Sequence, residues 1–138
     1  MVDKLMARLR THPELGKRLF LYEAASDLEI THLYAHAAGL LFLSKGEGFG
    51  LPLVEAAHHG IAIICSDLPV FREIAGDYAT YISATNPQET ATEILDWWHH
   101  LQEGRLPDTV GMPRLTWEQS ADALLNVIID NNWLRTEQ

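Results

Sequence analysis

The chain alternates short apolar runs with longer stretches whose apolar residues recur every three or four positions, the pattern of strand and helix units that builds a parallel sheet. Leu5, Met6 and Leu9 put one stripe on an N-terminal helix ending near His12-Pro13, and Leu19-Phe20-Leu21-Tyr22 reads as a first strand. Ser26 followed by Glu29 has capping-box spacing and predicts a short helix through Ile30, Leu33, Tyr34 and Ala37. Gly39 to Leu43 is a second predicted strand. It runs into Gly46-Glu47-Gly48-Phe49-Gly50, after which Leu51-Pro52 opens a helix with proline in its first turn, where the missing N–H costs nothing. Ile61 to Cys65 is apolar throughout, as a strand covered on both faces should be. Ser66-Asp67-Leu68-Pro69 is a turn, Val70 to Ala75 a short helix closed by Gly76, and Tyr78 to Ile82 a fourth strand. Asn86-Pro87-Gln88-Glu89 combines an N-cap, a first-turn proline and a capping-box acid, and opens a helix through Ile94, Leu95, Trp98 and Leu101 that ends near Gly104. Arg105 to Arg114 holds two prolines and a glycine and reads as a loop. Thr116 and Gln119 then start a last helix carrying Leu124, Leu125, Ile128 and Ile129. The expectation is one α/β domain over residues 1–138, a parallel sheet of about four strands with flanking helices.

Length and composition agree with one globular domain: 138 residues, 47% hydrophobic and 21% charged, with mean hydropathy near zero. No apolar run approaches the roughly 18 residues of a spanning helix, and the N-terminus has no secretory signal pattern, so a soluble, cytoplasmic chain is expected. The net charge of −9 argues against nucleic acid as a partner. After Gly46 only Arg72, Arg105, Arg114 and Arg135 oppose the acids, so an anionic ligand would have to be held mainly by backbone donors. The single cysteine, Cys65, lies in an apolar run and reads as a buried strand residue rather than a reactive thiol. His58-His59 and His99-His100 are adjacent pairs that point to different sides of a helix, so no metal site is expected. Trp97-Trp98 reads as one core residue and one partly exposed residue.

The chemistry is concentrated in Ser44 to Ala56. Glycines let a backbone turn sharply and approach a ligand, and the helix starting near Leu51 aims unpaired N–H groups and a positive dipole end at the loop. A phosphate fits such a place without a basic side chain. Glu47 and Glu55 bracket it. Carboxylates repel a phosphate but accept well from hydroxyl groups, so a ligand with phosphate in the middle and polyols at both ends, such as a nucleotide sugar, suits the arrangement. The spacing fits neither the G-x-G-x-x-G dinucleotide fingerprint nor a phosphate-binding loop ending in Gly-Lys-Ser/Thr. From the residues alone an equal alternative stands: the glycines only form a tight strand-to-helix connection and both Glu are solvated.

From about Asp27 to Thr90, the residues Leu33-Tyr34 with Ala37, Ser44 with Glu47-Gly48-Phe49-Gly50-Leu51-Pro52-Leu53-Val54-Glu55-Ala56, and Gly60, Ile64, Ser66-Asp67, Pro69, Glu73 and Gly76-Asp77 resemble the C-terminal domain of the retaining group 1 glycosyltransferases with their Glu-x7-Glu motif. The resemblance implies a Rossmann-like domain forming the C-terminal half of a GT-B fold. It implies that Glu47 contacts the donor sugar as the catalytic position, that Gly48, Phe49, Gly50 and Leu51 hold sugar and diphosphate, and that Glu55 binds the ribose hydroxyls. The implied reaction moves a hexosyl group from a nucleotide diphosphate sugar to an acceptor with retention, without metal or cofactor. Its expected setting is bacterial envelope polysaccharide or glycolipid synthesis, in the cytoplasm or with the full enzyme held peripherally at the inner face of the membrane. Glu73 and Asp77 are expected to cap or order a loop, and Ser66-Asp67 to offer a secondary ligand contact.

The family's N-terminal acceptor domain and its basic diphosphate clamp have no counterpart in this sequence, and Lys4, Arg8, Arg10, Lys17 and Arg18 read as a solvated helix face and the turn after it. The isolated chain is therefore expected to be inactive as a transferase. The alternative from another class is a non-catalytic module that binds a nucleotide sugar or a protein.

Overall fold

A computed structural model describes residues 2–129. The chain divides into two compact units, Met1–His36 and Ala37–Gln138.

The first unit holds α1 (Val2–Arg10) and α2 (Asp27–His36). The capping box read from the sequence is formed: the Ser26 N–H and hydroxyl both donate to Glu29 Oε2, at 2.8 and 2.7 Å. Arg10 pairs with Glu23 at 2.6 Å and Arg18 with Glu14 at 2.7 Å, and the basic residues of this unit lie on its exposed surface. Leu19–Tyr22 is not a strand, which corrects the expected first strand and reduces the sheet from about four strands to three. The Glu14 carbonyl accepts from the N–H groups of Lys17, Arg18 and Leu19, and the Gly16 N–H donates to Leu19 O at 2.8 Å. The start of the run thus satisfies its backbone in a local turn, with one isolated bridge between Leu15 and Leu19. Phe20 and Tyr22 stay more than half exposed, so an apolar run here did not mean a buried strand.

The second unit is a parallel sheet with strand order β1-β2-β3, from Gly39–Phe42, Ala62–Ser66 and Thr80–Ile82. The connections are α3 (Leu51–His58) between β1 and β2, and α4 (Pro69–Ala75) with a short 3-10 turn (Gly76–Tyr78) between β2 and β3. Then come α5 (Pro87–Gln102), a second 3-10 turn (Thr109–Gly111) and α6 (Trp117–Ile129). Asn86 caps α5 by accepting from the Gln88 N–H at 3.0 Å. Thr116 and Gln119 form the reciprocal box that opens α6, at 2.8 and 3.1 Å. The α6 stripe predicted from the sequence is not buried: Leu124 and Ile128 are 61% and 58% exposed.

Register shows that both faces of the sheet are covered. Gly39 lies opposite Ala62, and strand alternation puts Ile64 on the same face, where it packs with Ile82 and with Trp97 of α5. Phe42 lies opposite Cys65 on the other face, where its ring meets Phe71 of α4 at 5.2 Å. Cys65 is fully buried as expected, and burial pushes its thiol up to about 12. Trp97 is the core residue of its pair and Trp98 the partly exposed one. The predicted loop 105–114 contains the second 3-10 turn and is pinned to the core there, where buried Thr109 donates to the Ile61 carbonyl at 3.1 Å and the Met112 side chain is buried.

Gly39 sets the distance between sheet and helix on the α5 face. A Cβ there would stand 2.5 Å from a Trp97 ring carbon and 3.0 Å from the Ala62 carbonyl oxygen. Gly39→Ala must displace the indole, and overpacking of this kind costs about 1–3 kcal/mol. Urea unfolding followed by tryptophan fluorescence should show that loss, and an unchanged midpoint would mean that the indole is not locked against the strand.

Candidate functional site

The carboxyl ends of the strands carry the loops, and the loop after β1 is the exposed one. Lys45 to Phe49 all lie at the surface, and Gly50 beneath them is buried. Within the loop the Ser44 hydroxyl donates to Glu47 Oε1 at 2.6 Å and orients that carboxylate. Ser44 was read in the sequence as part of the motif but given no role, and the structure shows it holding the Glu47 carboxylate.

The three glycines of the loop separate into two kinds. Gly50 is the N-cap of α3 at φ 93, a left-handed backbone, and a Cβ on it would meet Phe71 Cε1 at 2.9 Å. The fold demands glycine there. Gly46 and Gly48 have no left-handed φ, and a Cβ on either would meet nothing within 4 Å. The tight strand-to-helix connection therefore explains Gly50 and leaves Gly46 and Gly48 unexplained by anything among the described residues. Gly50 brings no side chain to cap α3, but Pro52 has no N–H and the Leu53 N–H donates to the Gly50 carbonyl at 3.0 Å, so the first turn leaves only the Leu51 N–H for an anion.

Helix α3 turns Leu53, Ala56 and Ala57 into the core and presents Leu51, Glu55 and His58 on another face. That face forms one wall of a cavity of about 1050 Å³. Ile74 and Tyr78 also line it, as do Leu115 and Trp117 from the segment that starts α6. Of the residues expected to bind the donor, the structure brings Phe49, Leu51 and Glu55 to this cavity, while Glu47, Gly48 and Gly50 are not among its lining residues. Glu73, read in the sequence as a cap or loop-ordering residue, is exposed on the cavity wall.

Beyond β2 the acid and base chemistry is already committed. Arg72 donates to both oxygens of Asp67, at 2.5 and 2.9 Å, and its guanidinium lies 4.3 Å from the centre of the Tyr81 ring. The Arg72 hydrogen bonds hold the Asp67 carboxyl below its ordinary range, and the same pair raises Arg72. Burial, then the neighbouring Cys65, pushes the Tyr81 phenol up to about 12, and its hydroxyl donates to the Gly76 carbonyl at 2.7 Å. Strand alternation turns the Ser66 side chain toward the α5 face, where its hydroxyl is buried without a hydrogen-bond partner. The secondary ligand contact expected from Ser66-Asp67 is thus not supported: one side chain faces the core and the other is held by Arg72. Among the described residues no cluster of three or more His, Cys, Asp or Glu could hold a metal ion.

The contrast between the glycines can be measured. Gly50→Ala meets both a left-handed φ and the Phe71 ring, and should destabilise the fold by at least about 1–3 kcal/mol. Gly48→Ala should leave the melting temperature where it is. Equal losses in a thermal scan would return both glycines to a purely structural role.

The pattern of the family described as glycosyl transferases group 1 matches residues 3–106. The serotype-specific mannosyltransferase WbdA of Escherichia coli is 44% identical over 124 residues, which is 90% of this chain and 15% of that protein. The O-antigen chain mannosyltransferase RfbU of Salmonella typhimurium is 39% identical over 78 residues, 56% of this chain and 22% of its own length. The O-antigen chain mannosyltransferase B of Escherichia coli is 27% identical over 105 residues, covering 72% and 27%. The chain thus spans only a minor part of the relatives it matches, and no solved structure matches it. With the family pattern running through both strand-to-helix connections and the glycine loop, the chain belongs to the glycosyl transferases group 1 family.

Proposed function

We propose that this chain carries the donor-binding half of a retaining glycosyltransferase, which takes a hexosyl group, mannosyl by likeness to its relatives, from a nucleotide diphosphate sugar for bacterial polysaccharide synthesis. The observation that supports it best is the pair Gly46 and Gly48, which lie in open space beside the uncapped start of α3. Residues without side chains where the fold does not require it leave room for a ligand against the backbone. In this reading the diphosphate lies against the start of α3, on the backbone of Gly48, Phe49, Gly50 and Leu51. Glu47, held by Ser44, accepts from sugar hydroxyls close to the reacting carbon, and Glu55 accepts from both ribose hydroxyls.

The reading leaves the reacting acceptor hydroxyl to a second domain. Among the described residues no helix is long and apolar enough to cross a membrane. The reading places the chain in the cytoplasm, with the whole enzyme peripheral to the inner face of the membrane. On its own the chain should bind donor and transfer nothing, because positioning of the acceptor supplies roughly 7–11 kcal/mol of barrier lowering in reactions of this kind.

Calorimetry with UDP-, GDP- and ADP-sugars and their nucleoside diphosphates tests the binding. Glu55→Ala should cost about 1.5–3 kcal/mol of nucleoside diphosphate affinity, the range of a hydrogen bond to a charged group. Gly48→Ala should weaken the same binding while the melting temperature holds. Unchanged affinity in both variants would remove the loop and α3 from the donor site.

A further inference from the structure

The cavity beside α3 is larger and more apolar than the proposed donor contacts need. Its volume of about 1050 Å³ lies at the top of the range of roughly 300–1,000 Å³ that ligand sites occupy. Leu51, Val54, Ile74, Tyr78, Leu115 and Trp117 supply apolar and aromatic wall from three separate segments. Trp117 stands at the rim with 86% of its surface exposed, so the fold makes little use of its indole. The polar groups on the wall have one dominant sign. Glu55 and Glu73 are exposed on it, against one lining arginine, Arg114, whose Nη1 is tied to the Val110 and Met112 carbonyls at 2.8 and 3.0 Å.

This combination selects a ligand chemistry. A phosphate or an anionic lipid headgroup would meet two carboxylates against a single arginine. A purely apolar chain would leave those carboxylates facing it without partners. A neutral sugar satisfies both halves of the surface, because its hydroxyls donate to carboxylates and its C–H face lies flat on an aromatic ring. The ribose of the donor and the sugars of a glycan share that chemistry. One ribose at Glu55 occupies only the edge of a space this size.

We propose that the cavity is a glycan subsite, in which several neutral sugar residues of the growing polysaccharide lie against Trp117 and Tyr78 and donate hydroxyls to Glu73. This rests on the transferase reading above and extends it: the site steadies a stretch of the acceptor polymer away from the reacting hydroxyl. Phe49 and Leu51 belong both to the cavity wall and to the donor loop, so polymer held here runs beside the donor.

The test uses linear α-linked mannooligosaccharides and, separately, the nucleoside diphosphates, with the chain as it exists and with its Trp117→Ala and Glu73→Gln variants. Both side chains are exposed, so neither variant threatens folding, and circular dichroism would verify this. Saturation-transfer NMR should detect the oligosaccharide on the wild-type chain, with a shift of the Trp117 indole resonance. Each variant should bind oligosaccharide at least tenfold more weakly and nucleoside diphosphate with unchanged affinity. Nucleoside diphosphate binding without oligosaccharide binding would overturn the glycan subsite and leave the donor reading standing. Loss of nucleoside diphosphate affinity in Trp117→Ala, with oligosaccharide binding intact, would hand the cavity to the donor nucleoside and also overturn it. Oligosaccharide binding that depends on Trp117, in a chain that binds no nucleotide, would support the subsite and count against the donor reading.

Discussion

The approach of Gly50 to the Phe71 ring fixes the geometry on which the rest of the site depends. Phe71 is fully buried and its ring also meets Phe42 at the end of β1, so one aromatic side chain of α4 sets the start of α3 and the end of the strand before it. The left-handed backbone of Gly50 turns the chain sharply at that contact. The loop from Ser44 to Phe49 is therefore held at both ends while its middle stays in solvent. Rigid ends with an exposed, glycine-containing middle give a backbone surface that a ligand can reach without opening the core.

Much of this could be read from the sequence, because the signals are local. The capping boxes at Ser26 and Thr116, the Asn86 cap and the first-turn prolines of α3 and α5 depend on residues a few positions apart, and all of them form, whereas Pro69, read as the end of a turn, is the first residue of α4. The strands Gly39–Phe42 and Ala62–Ser66 were legible as apolar runs between turn signals. Leu19–Tyr22 carries the same local signal and is not a strand, since pairing is decided by a partner and not by the run itself. The glycine loop announced a special backbone without saying which glycine the fold needs. That distinction comes from Phe71, twenty-one residues beyond Gly50. The cavity was not legible at all: its walls come from α3, from α4 and the turn after it, and from the start of α6, and Glu73 and Trp117 carry no pairwise spacing that points to Glu55.

Charge gives the site its character. Asp67 and Arg72 neutralise one another at the carboxyl end of β2, and stacking on Tyr81 gives that arginine a second anchor. Removing it to serve a ligand would leave Asp67 unpaired beside the buried Cys65 thiol, which is already held in its neutral form. The pair is therefore better placed to hold α4 against the sheet than to bind a phosphate. Burial of Tyr81, with its hydroxyl donating to Gly76, ties the same corner to the turn that follows α4.

That commitment decides what α3 must do and what it cannot do. A helix start is equivalent to about half a positive charge, and a diphosphate carries several times that in negative charge. Glu47 and Glu55 add two carboxylates nearby, and the exposed Lys45 is the single cationic side chain between Ser44 and His58. In the proposed complex, hydroxyl donation to the two carboxylates and N–H donation to the phosphates offset this balance in the ground state, because each bond is charge-assisted. In the transition state negative charge grows on the leaving diphosphate, while the hydroxyl bonds gain much less. Donors that stabilise the leaving group must be in place before the bond breaks, and a single missing one costs about 2.7–4 kcal/mol. On the proposed reading these residues are thus suited to recognising a nucleotide sugar, and release of the diphosphate calls for cationic groups beyond the N-terminus of α3.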